Sequence, residues 1–248
     1  MRFRRIHHGA VDSTSERAFA ALANGTARHG DVHFSTAQSA GRGRRGRSWW
    51  SPPGEGLYAS LVLLPPPPPW NPAALTMAGG LAVLDAVRAL GLCEARLDWP
   101  NDVTSGGAKL AGILVETRGL DPRAPHYVVG LGLNVRQREF PEELRGECAV
   151  ASLGSLGMDV RVEDAREAVL VSLAARLDQA ERDLDQLATD YLLGTGLQDR
   201  RVRVRFGEDE CIGRLADLTI ASGIVLSGLD GKAQRLPLEI VREVAPCL

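Results

Sequence analysis

The sequence predicts an α+β fold built on a mixed sheet, followed by a small C-terminal β-barrel. Two observations lead to this prediction. Strand-like runs are interspersed with segments of helical periodicity up to about residue 194. From residue 201 onward, period-two alternation with short turns replaces the helical pattern. A chain of 248 residues can hold two such units, and we expect a catalytic domain over 1–194 and a barrel over 197–248.

Helices are expected at 14–23, 73–90 and about 162–190. The first lies between candidate caps at Ser13 and Thr14 and a stop at Asn24-Gly25. The second has leucines at helical spacing and ends at Gly91, and the third carries an apolar stripe from Val169 to Leu184.

Strands are expected at 31–38, 57–64, about 95–99, 110–116 and 126–135. We expect residues 65–69 to be an exposed polyproline spacer and Gly194-Thr195-Gly196 to mark a boundary. Beyond it, alternation within 201–206, 210–216, 223–227 and 233–244 predicts the barrel, with hairpin turns at 207–209 and 230–231.

Composition limits the possible functions. A net charge of −2 argues against nucleic-acid or membrane binding by the whole surface. The four cysteines are scattered without metal spacing, which fits a reducing compartment. The sequence has no apolar stretch of membrane-spanning length, and its basic N-terminus has no apolar h-region, so we expect neither a membrane span nor a secretory signal. We therefore expect a cytoplasmic protein.

The most informative segment is the loop at residues 40–47, Ala-Gly-Arg-Gly-Arg-Arg-Gly-Arg. Arginine forks match phosphate and carboxylate oxygens, and glycines let backbone N–H groups approach an anion. Such a loop is suited to closing over a compact anion, and repulsion among its arginines predicts mobility until the anion binds. The alternative is a solvated basic loop or a nucleic-acid tail. The strands expected on both sides favour a position inside a folded domain.

Two further segments present polar groups near strand ends. Trp99-Pro100-Asn101-Asp102 offers an amide and a carboxylate, unless it is an Asx turn. Lys109 begins an apolar strand that contains Gly112, and it either reaches an anion or lies on the surface.

Glycines and hydroxyls suggest the remainder of a site. Gly130-Leu-Gly132-Leu-Asn134 leaves one strand face bare, which suits either a flat ligand or tight sheet packing. Ser13, Thr14 and Ser15 place hydroxyls at a helix N-terminus, either for a polar ligand or as caps. A purely structural explanation is sufficient for each segment taken alone. Five such segments in one chain nevertheless indicate one binding site.

Taken in order, these motifs resemble the motif series of biotin protein ligases over nearly the whole chain. The resemblance implies a catalytic domain of the class II aminoacyl-tRNA synthetase type and an SH3-like C-terminal barrel. It also implies that ATP activates biotin to biotinyl-5′-AMP with release of pyrophosphate. Biotin would then pass to a lysine of the biotin carboxyl carrier protein of acetyl-CoA carboxylase or a similar carboxylase.

The resemblance also implies residue roles. Biotin and its adenylate would contact Ser13, Thr14, Ser15, Gln38, Gly41, Arg42, Gly43, Arg44, Lys109, Gly112, Gly130 and Gly132. The nucleotide would contact Arg45, Arg47, Trp49, Asn101 and Asn134, with Asn101 and Asp102 beside Mg²⁺. As catalytic residues, Lys109, Arg42 and Arg44 would screen the repulsion between carboxylate and triphosphate. Asp102 would orient or deprotonate the acceptor lysine.

Two positions depart from the family pattern: Ser15 stands where Asn is common, and Asp98 where Lys is common. Because about a dozen residues precede Ser13, we expect the monofunctional type without a DNA-binding helix-turn-helix, with no nucleic-acid partner. Either a monomer or a homodimer is expected. The competing interpretations are a lipoate ligase or octanoyltransferase, a non-enzymatic ligand sensor, and an RNA-binding module.

Overall fold

A seven-stranded sheet forms the body of the protein in the computed structural model, which describes residues 1–64, 70–118, 125–145, 149–228 and 232–247. Its strands lie in the order β1-β2-β3-β7-β6-β5-β4. They are β1 (Arg4–Val11), β2 (Asp31–Gln38), β3 (Gly56–Leu63), β4 (Arg96–Asp98), β5 (Asp102–Ser105), β6 (Ala108–Glu116) and β7 (Tyr127–Asn134). Strand β1 runs parallel to β2, and the other neighbours are antiparallel. The sheet is therefore mixed, as the sequence predicts.

Helices cover both faces of this sheet because its strands alternate apolar side chains between two cores. Helix α1 (Thr14–Ala23) packs through Ala18 and Phe19 on Val62 and Val128. The neighbouring Leu61 and Val129 belong to the main core. That core also holds α2 (Pro72–Ala89), α4 (Val162–Arg182) and α5 (Leu184–Thr195), and the short α3 (Glu142–Arg145) lies between β7 and α4.

The C-terminal segment forms a second, five-stranded antiparallel sheet in the order β11-β10-β9-β8-β12. Its strands are β8 (Arg201–Phe206), β9 (Asp209–Thr219), β10 (Gly223–Ser227), β11 (Ala233–Leu236) and β12 (Val241–Pro246). Inward residues such as Val202, Val204 and Leu215 are buried and join the main core. The two sheets therefore share one continuous apolar interior.

The third predicted helix is wrong as a single element, because 162–190 is two helices. Asp183 leaves helical geometry, with φ −150° and ψ 82°. Its carboxylate accepts a hydrogen bond from the Gln186 N–H at 2.9 Å and caps α5. The apolar stripe continues across this break, so periodicity alone does not reveal it. The predicted end at about residue 190 is also too early: α5 ends at Thr195, where Gly196 follows with a left-handed φ of 68°.

Other boundaries differ from the prediction at the edges of the main sheet. The strand expected at 95–99 is only three residues long, and β1 and β5 were not predicted. Strand β1 carries the sequence Arg-Arg-Ile-His-His-Gly-Ala-Val, whose polar residues hide its pairing with β2. The polyproline spacer at 65–69 and the turn at 230–231 lie outside the described residues. No helix among the described residues is long and apolar enough to cross a membrane.

Candidate active site

The segments singled out in the sequence line one cavity with a volume of about 300 Å³. Its lining includes Ser13, Thr14, Ser15, Gln38, Arg42, Gly43, Arg44, Arg45, Arg47, Trp49, Asn101, Asp102, Lys109, Gly112, Gly130 and Gly132. Strand register explains why they meet. Gly130 lies between Ser60 and Leu114, while Gly112 lies between Gly132 and Asp102. Two adjacent rows of the sheet thus carry the polar groups and the bare positions.

A cluster of hydroxyls forms one wall of the cavity around Ser60, which is fully buried. The Ser60 hydroxyl lies 2.8 Å from the Thr14 hydroxyl and 3.0 Å from that of Ser15. Sequence reasoning missed Ser60, although it interrupts the apolar run of β3, and an isolated polar residue in a buried strand needs a hydrogen-bond partner. Ser15, which stands where the family commonly has Asn, is held in this cluster.

Gln38 fixes the start of α1. Its Oε1 accepts hydrogen bonds from the Thr14 backbone N–H at 2.8 Å and from the Thr14 hydroxyl at 3.1 Å. Its Nε2 donates to the Ser51 hydroxyl at 2.8 Å. Ser13 occupies the cap position but makes no side-chain cap. The three residues Ser13, Thr14 and Ser15 are buried and line the cavity, so the simple capping alternative does not describe them.

Lys109 and Asp102 form an ion pair in the cavity, with 2.6 Å between Nζ and Oδ2. The lysine is positioned by its backbone, whose N–H donates to Ala149 at 2.8 Å and whose carbonyl accepts from Ala151 at 2.9 Å. The second carboxylate oxygen of Asp102, Oδ1, is buried and has no hydrogen-bond partner among the described residues. This oxygen can accept a proton or a hydrogen bond from a ligand.

The Trp49 indole covers the bare glycine face. A Cβ added at Gly132 would stand 2.5 Å from Trp49 Cε2, and one at Gly112 would stand 3.1 Å from Cζ3. Lys109 Nζ lies 5.6 Å from the indole ring centroid, within cation–π range. In this structure, tight packing against Trp49 accounts for these two glycines. Their contact with a ligand stays a prediction.

The arginine loop is tied to the protein by side chains on both sides. Arg44 donates to Asn101 Oδ1 at 3.1 Å, and Asn101 Nδ2 donates to the Ile113 carbonyl at 2.8 Å. Arg42 pairs with Glu16 and Glu116. Residues 44–46 form a 3₁₀ turn in which Arg45 has a left-handed φ of 57°. The predicted mobility of the loop remains a prediction, but its charges are partly compensated in this conformation.

Gly41 and Asn134 lie outside the cavity lining. A side chain at Gly41 would overlap the Trp49 carbonyl oxygen. Because glycine has no side chain, the backbone at Gly41 can approach the backbone at Trp49, on the other side of the loop. Asn134 is buried, donates to the Ala151 carbonyl at 3.0 Å and accepts from Gln137 at 3.3 Å. Its amide therefore supports the segment that positions Lys109, and its predicted contact with adenine remains untested.

The C-terminal sheet contributes to the cavity through Arg242 and Glu243 at the start of β12. No local signal in the sequence could have found them, because they lie 110 positions or more beyond the other residues that line the cavity and reach it only through tertiary contacts. Glu243 also affects Asp98, which pairs in register with Asp102. Partial desolvation raises the pKa of Asp98, and the negative charges of Asp102 and Glu243 add to this effect. Asp98 thus carries its negative charge less readily than a free aspartate.

The turn at 99–102 is held from two directions, and its Trp99–Pro100 peptide bond is cis. Tyr191 of α5 donates its hydroxyl to the Pro100 carbonyl at 2.9 Å. Trp99 Nε1 donates to the Val241 carbonyl of β12 at 3.3 Å. These bonds place Asn101 and Asp102 at the cavity. Among the described residues, no three His, Cys, Asp or Glu side chains lie close enough together to hold a metal ion.

Comparison with known proteins agrees with this arrangement. Residues 9–134 match the Biotin/lipoate A/B protein ligase family. The biotin–[acetyl-CoA-carboxylase] ligase of Mycobacterium tuberculosis is 36% identical over 214 residues, which cover 83% of this chain and 76% of the relative. The bifunctional ligase/repressor BirA of Bacillus subtilis is 35% identical over 142 residues, or 56% of this chain and 43% of that protein. The chain therefore spans less than half the length of the first curated relatives that it matches.

The fold comparison covers almost the whole chain. The biotin protein ligase from Aquifex aeolicus, solved in complex with biotin and ATP, superposes with a TM-score of 0.80 at 28% identity. The alignment includes 98% of this chain and 99% of that one. Together with the family match and the similarity to the mycobacterial ligase, it shows that this chain belongs to the biotin/lipoate A/B protein ligase family.

Proposed function

We propose that the protein activates biotin with ATP and transfers it to a lysine of a biotin carboxyl carrier domain. One observation carries the proposal: a single cavity contains the buried hydroxyl cluster, the Lys109–Asp102 pair and the arginine loop. The chain is also similar over nearly its full length to a ligase whose solved structure contains biotin and ATP. The carrier protein of acetyl-CoA carboxylase is the acceptor that the name of the mycobacterial relative suggests.

The hydroxyl cluster is suited to a ureido ring. Such a ring has two N–H donors and one carbonyl acceptor, and Thr14, Ser15 and Ser60 offer hydroxyls that both donate and accept. Ser60 on β3 is separated from β6 by β7 alone. Ser60 is in register with Gly130 and Leu114, and the Lys109 side chain folds back along β6, with its Cε 3.5 Å from a Cβ at Gly112. Two interstrand spacings, about 10 Å, and the offset from Leu114 to Gly112 along β6 therefore separate the cluster from the lysine side chain. An extended acyl arm is suited to that separation and would bring its carboxylate to Lys109.

The first step joins two anions. A carboxylate oxygen of biotin attacks the α-phosphorus of ATP, the bond to the β-phosphate bridge breaks, and pyrophosphate leaves. Lys109 is placed to screen the repulsion between the carboxylate and the α-phosphate. Arg44 at the loop and Arg242 from β12 add positive charge at the cavity. Positioning of the two substrates contributes much of the remaining rate.

The second step consumes the mixed anhydride. The acceptor lysine, as a neutral amine, attacks the acyl carbon, the bond to the phosphate oxygen breaks, and AMP leaves. The unpartnered Oδ1 of Asp102 is the group that takes the proton from the attacking amine. Because the anhydride is sensitive to water, the loop at 40–47 serves as a cover for it.

The donor set near the turn fits Mg²⁺ delivered with ATP. Mg²⁺ in nucleotide sites takes one or two protein oxygens and fills its remaining positions with phosphates and water. Asp102 Oδ1 has no protein partner among the described residues, and Asn101 Oδ1 is shared with Arg44. These two residues would hold the ion during the first step, where it would neutralise charge on the departing pyrophosphate, and Asp102 Oδ1 would be free for the second step once pyrophosphate has left.

The proposed enzyme has two domains. Residues 1–194 form a catalytic domain of the class II synthetase type, and 197–248 form an SH3-like barrel. The helix stop at Gly196 and the change to an all-antiparallel sheet at β8 support this division.

The decisive experiment supplies the purified protein with ATP and, separately, biotin, lipoate or octanoate. Pyrophosphate release and the mass of the acyl-adenylate are measured, and an apo carrier domain is then added. We expect adenylate formation with biotin and a gain of one biotin per carrier. A lipoyl- or octanoyl-adenylate in place of the biotinyl species would assign the protein to the other branch of its family. Biotin binding without pyrophosphate release would make it a sensor.

A further inference from the structure

Four charged side chains form a network beside the arginine loop, which we call the Arg42 latch: Arg42, Glu16, Glu116 and Arg118. Arg42 of the loop pairs through Nη1 with Glu16 in the first turn of α1. Its Nη2 lies 2.7 Å from Glu116 Oε2 at the end of β6. One loop side chain is thus bound to two different elements of the catalytic domain.

Glu16 is itself held from the opposite side. Arg118 donates to both of its oxygens, at 2.8 Å and 2.5 Å. The Arg118 guanidinium also lies 4.2 Å from the ring centroid of Phe19, one turn further along α1. The Arg118 contact first, followed by the charge of Arg42, lowers the pKa of Glu16 to about 2. Glu16 therefore keeps its charge at any physiological pH.

The Arg42 latch should hold the loop more strongly than an ordinary surface ion pair would. An isolated exposed pair contributes little, whereas bidentate arginine–carboxylate contacts are stronger and geometrically selective. The side chains of Arg42, Glu16 and Glu116 are 28%, 32% and 24% exposed, and that of Arg118, which makes the bidentate contact, is 45% exposed. Two positive and two negative charges balance each other, so Arg42 is neutralised before any ligand binds.

At its start, the loop is joined to the residue after β1, because the Ala40 N–H donates to the Asp12 carbonyl at 2.8 Å. Within the loop, the Gly41 carbonyl accepts from Trp49 N–H at 2.8 Å, and Gly43 N–H donates to the Arg47 carbonyl at 2.7 Å. These last two bonds shape the loop but connect it only to itself. Residues 44–47 are exposed, and the bond from Arg44 to Asn101 is a single exposed contact. Arg42 is the point at which the base of the loop is anchored to α1 and β6.

We propose that Glu16, held by Arg118, is a positioning residue that keeps the loop closed through Arg42 and so controls how long the adenylate is retained. This inference rests on the proposed function for its adenylate part alone. It gives Arg42 a duty beyond that of the other cations of the site. Lys109, Arg44 and Arg42 all line the cavity, and the pairing of Arg42 with α1 and β6 also lets it fix the cover above the substrates. Loss of the latch should speed escape of the intermediate while leaving its synthesis nearly intact.

The first test needs no substrate. Trypsin cleaves after exposed arginines, and nicking within residues 44–47, identified by fragment mass, reports how often the loop opens. We expect Glu16→Gln and Arg118→Met to accelerate this nicking about tenfold, with melting temperatures close to that of the parent. Glu167→Gln is the matched control, because it removes a carboxylate that binds Arg5 in the same two-pronged manner away from the loop. Nicking at the parental rate in both latch variants overturns the proposal.

The second test follows the intermediate. Labelled biotinyl-adenylate is formed on each enzyme, and its release is measured after dilution into unlabelled biotin. We expect release about tenfold faster in Glu16→Gln and Arg118→Met, with first-turnover pyrophosphate release within about threefold of the parent. The double variant should be no worse than the more affected single one, because both residues act through Arg42. Unchanged adenylate release in a variant that is nicked faster refutes the retention role. If the parent forms no adenylate, the proposed function fails, and the nicking result still decides whether the latch holds the loop.

Discussion

Three glycines of the cavity differ in how much room each has, which allows a graded test of the Trp49 packing. An added Cβ at Gly132 would lie 2.5 Å from Trp49 Cε2, with Nε1 and Cζ2 at 2.7 and 2.8 Å. At Gly112 the nearest atom is Trp49 Cζ3 at 3.1 Å, and at Gly130 the nearest atoms stand at 3.4 Å. Alanine should therefore be progressively better tolerated from Gly132 to Gly112 to Gly130.

The magnitudes follow from these distances. Non-bonded carbons prefer about 3.5–4.0 Å, so Gly132→Ala must move the indole by about 1 Å. Overpacking of this kind costs about 1–3 kcal/mol, and the gain from replacing a flexible glycine offsets about 0.5–1 kcal/mol of it. We expect a net loss of about 1–2 kcal/mol for Gly132→Ala, less than about 1 kcal/mol for Gly112→Ala, and no loss for Gly130→Ala.

Urea unfolding followed by far-ultraviolet circular dichroism measures these free energies without relying on tryptophan emission. The displaced indole should be seen separately as a change in Trp49 fluorescence, assigned with Trp49→Ala as the reference. In the Gly132→Ala background, removal of the indole should cost less than it does in the parent, because it relieves the overlap. The packing argument fails if Gly132→Ala is as stable as Gly130→Ala, or if the two substitutions are simply additive.

Three further predictions address the site and its surroundings. Lys109→Ala should reduce kcat/KM for adenylate formation by a factor equivalent to about 3 kcal/mol, and wild-type pyrophosphate release would contradict its role. Ser60→Ala removes the shared partner of two hydroxyls, so the KM for biotin should rise about tenfold with little change in kcat; an unchanged KM would speak against the ureido assignment. Desolvation lowers the pKa of His33 from 6.5 to about 4. Between these two pH values the unfolded chain binds more protons than the folded chain, so the free energy of unfolding decreases as the pH falls from 6.5 to 4. The loss approaches about 3 kcal/mol by pH 4, His33→Gln should flatten the profile, and a parental profile already flat from pH 7 to 4 would exclude the effect.

Sequence periodicity predicted the elements whose own residues determine their burial. Helix α2 and strand β3 lie within one or two residues of expectation, because each carries an apolar pattern of the right period. Strand β1 was missed because its pairing with β2 depends on the rest of the sheet. The break before α5 was missed because the local cap at Asp183 acts without interrupting the apolar stripe.

In the candidate site, too, the features determined by local sequence were predicted and those that depend on tertiary contacts were not. Motif residues from five separate segments do line one cavity, and their clustering follows from strand ends and register. The partners of these residues were not predicted. Arg42 is bound by carboxylates 26 and 74 positions away in the chain, and Ser60 joins Thr14 from a distance of 46 positions. Such pairings depend on tertiary contacts that a pattern within one segment does not contain.

The two hydrogen bonds that hold the 99–102 turn have a thermodynamic consequence. Tyr191 and Trp99 connect the 99–102 turn to α5 and to β12, and the same region packs on apolar side chains of β9 and β10. The C-terminal sheet therefore should not melt as an independent unit. A ligand that binds only the folded cavity stabilises everything that unfolds with it. Amide protons of β8 to β12, remote from the ligand, should consequently exchange more slowly when the cavity is filled.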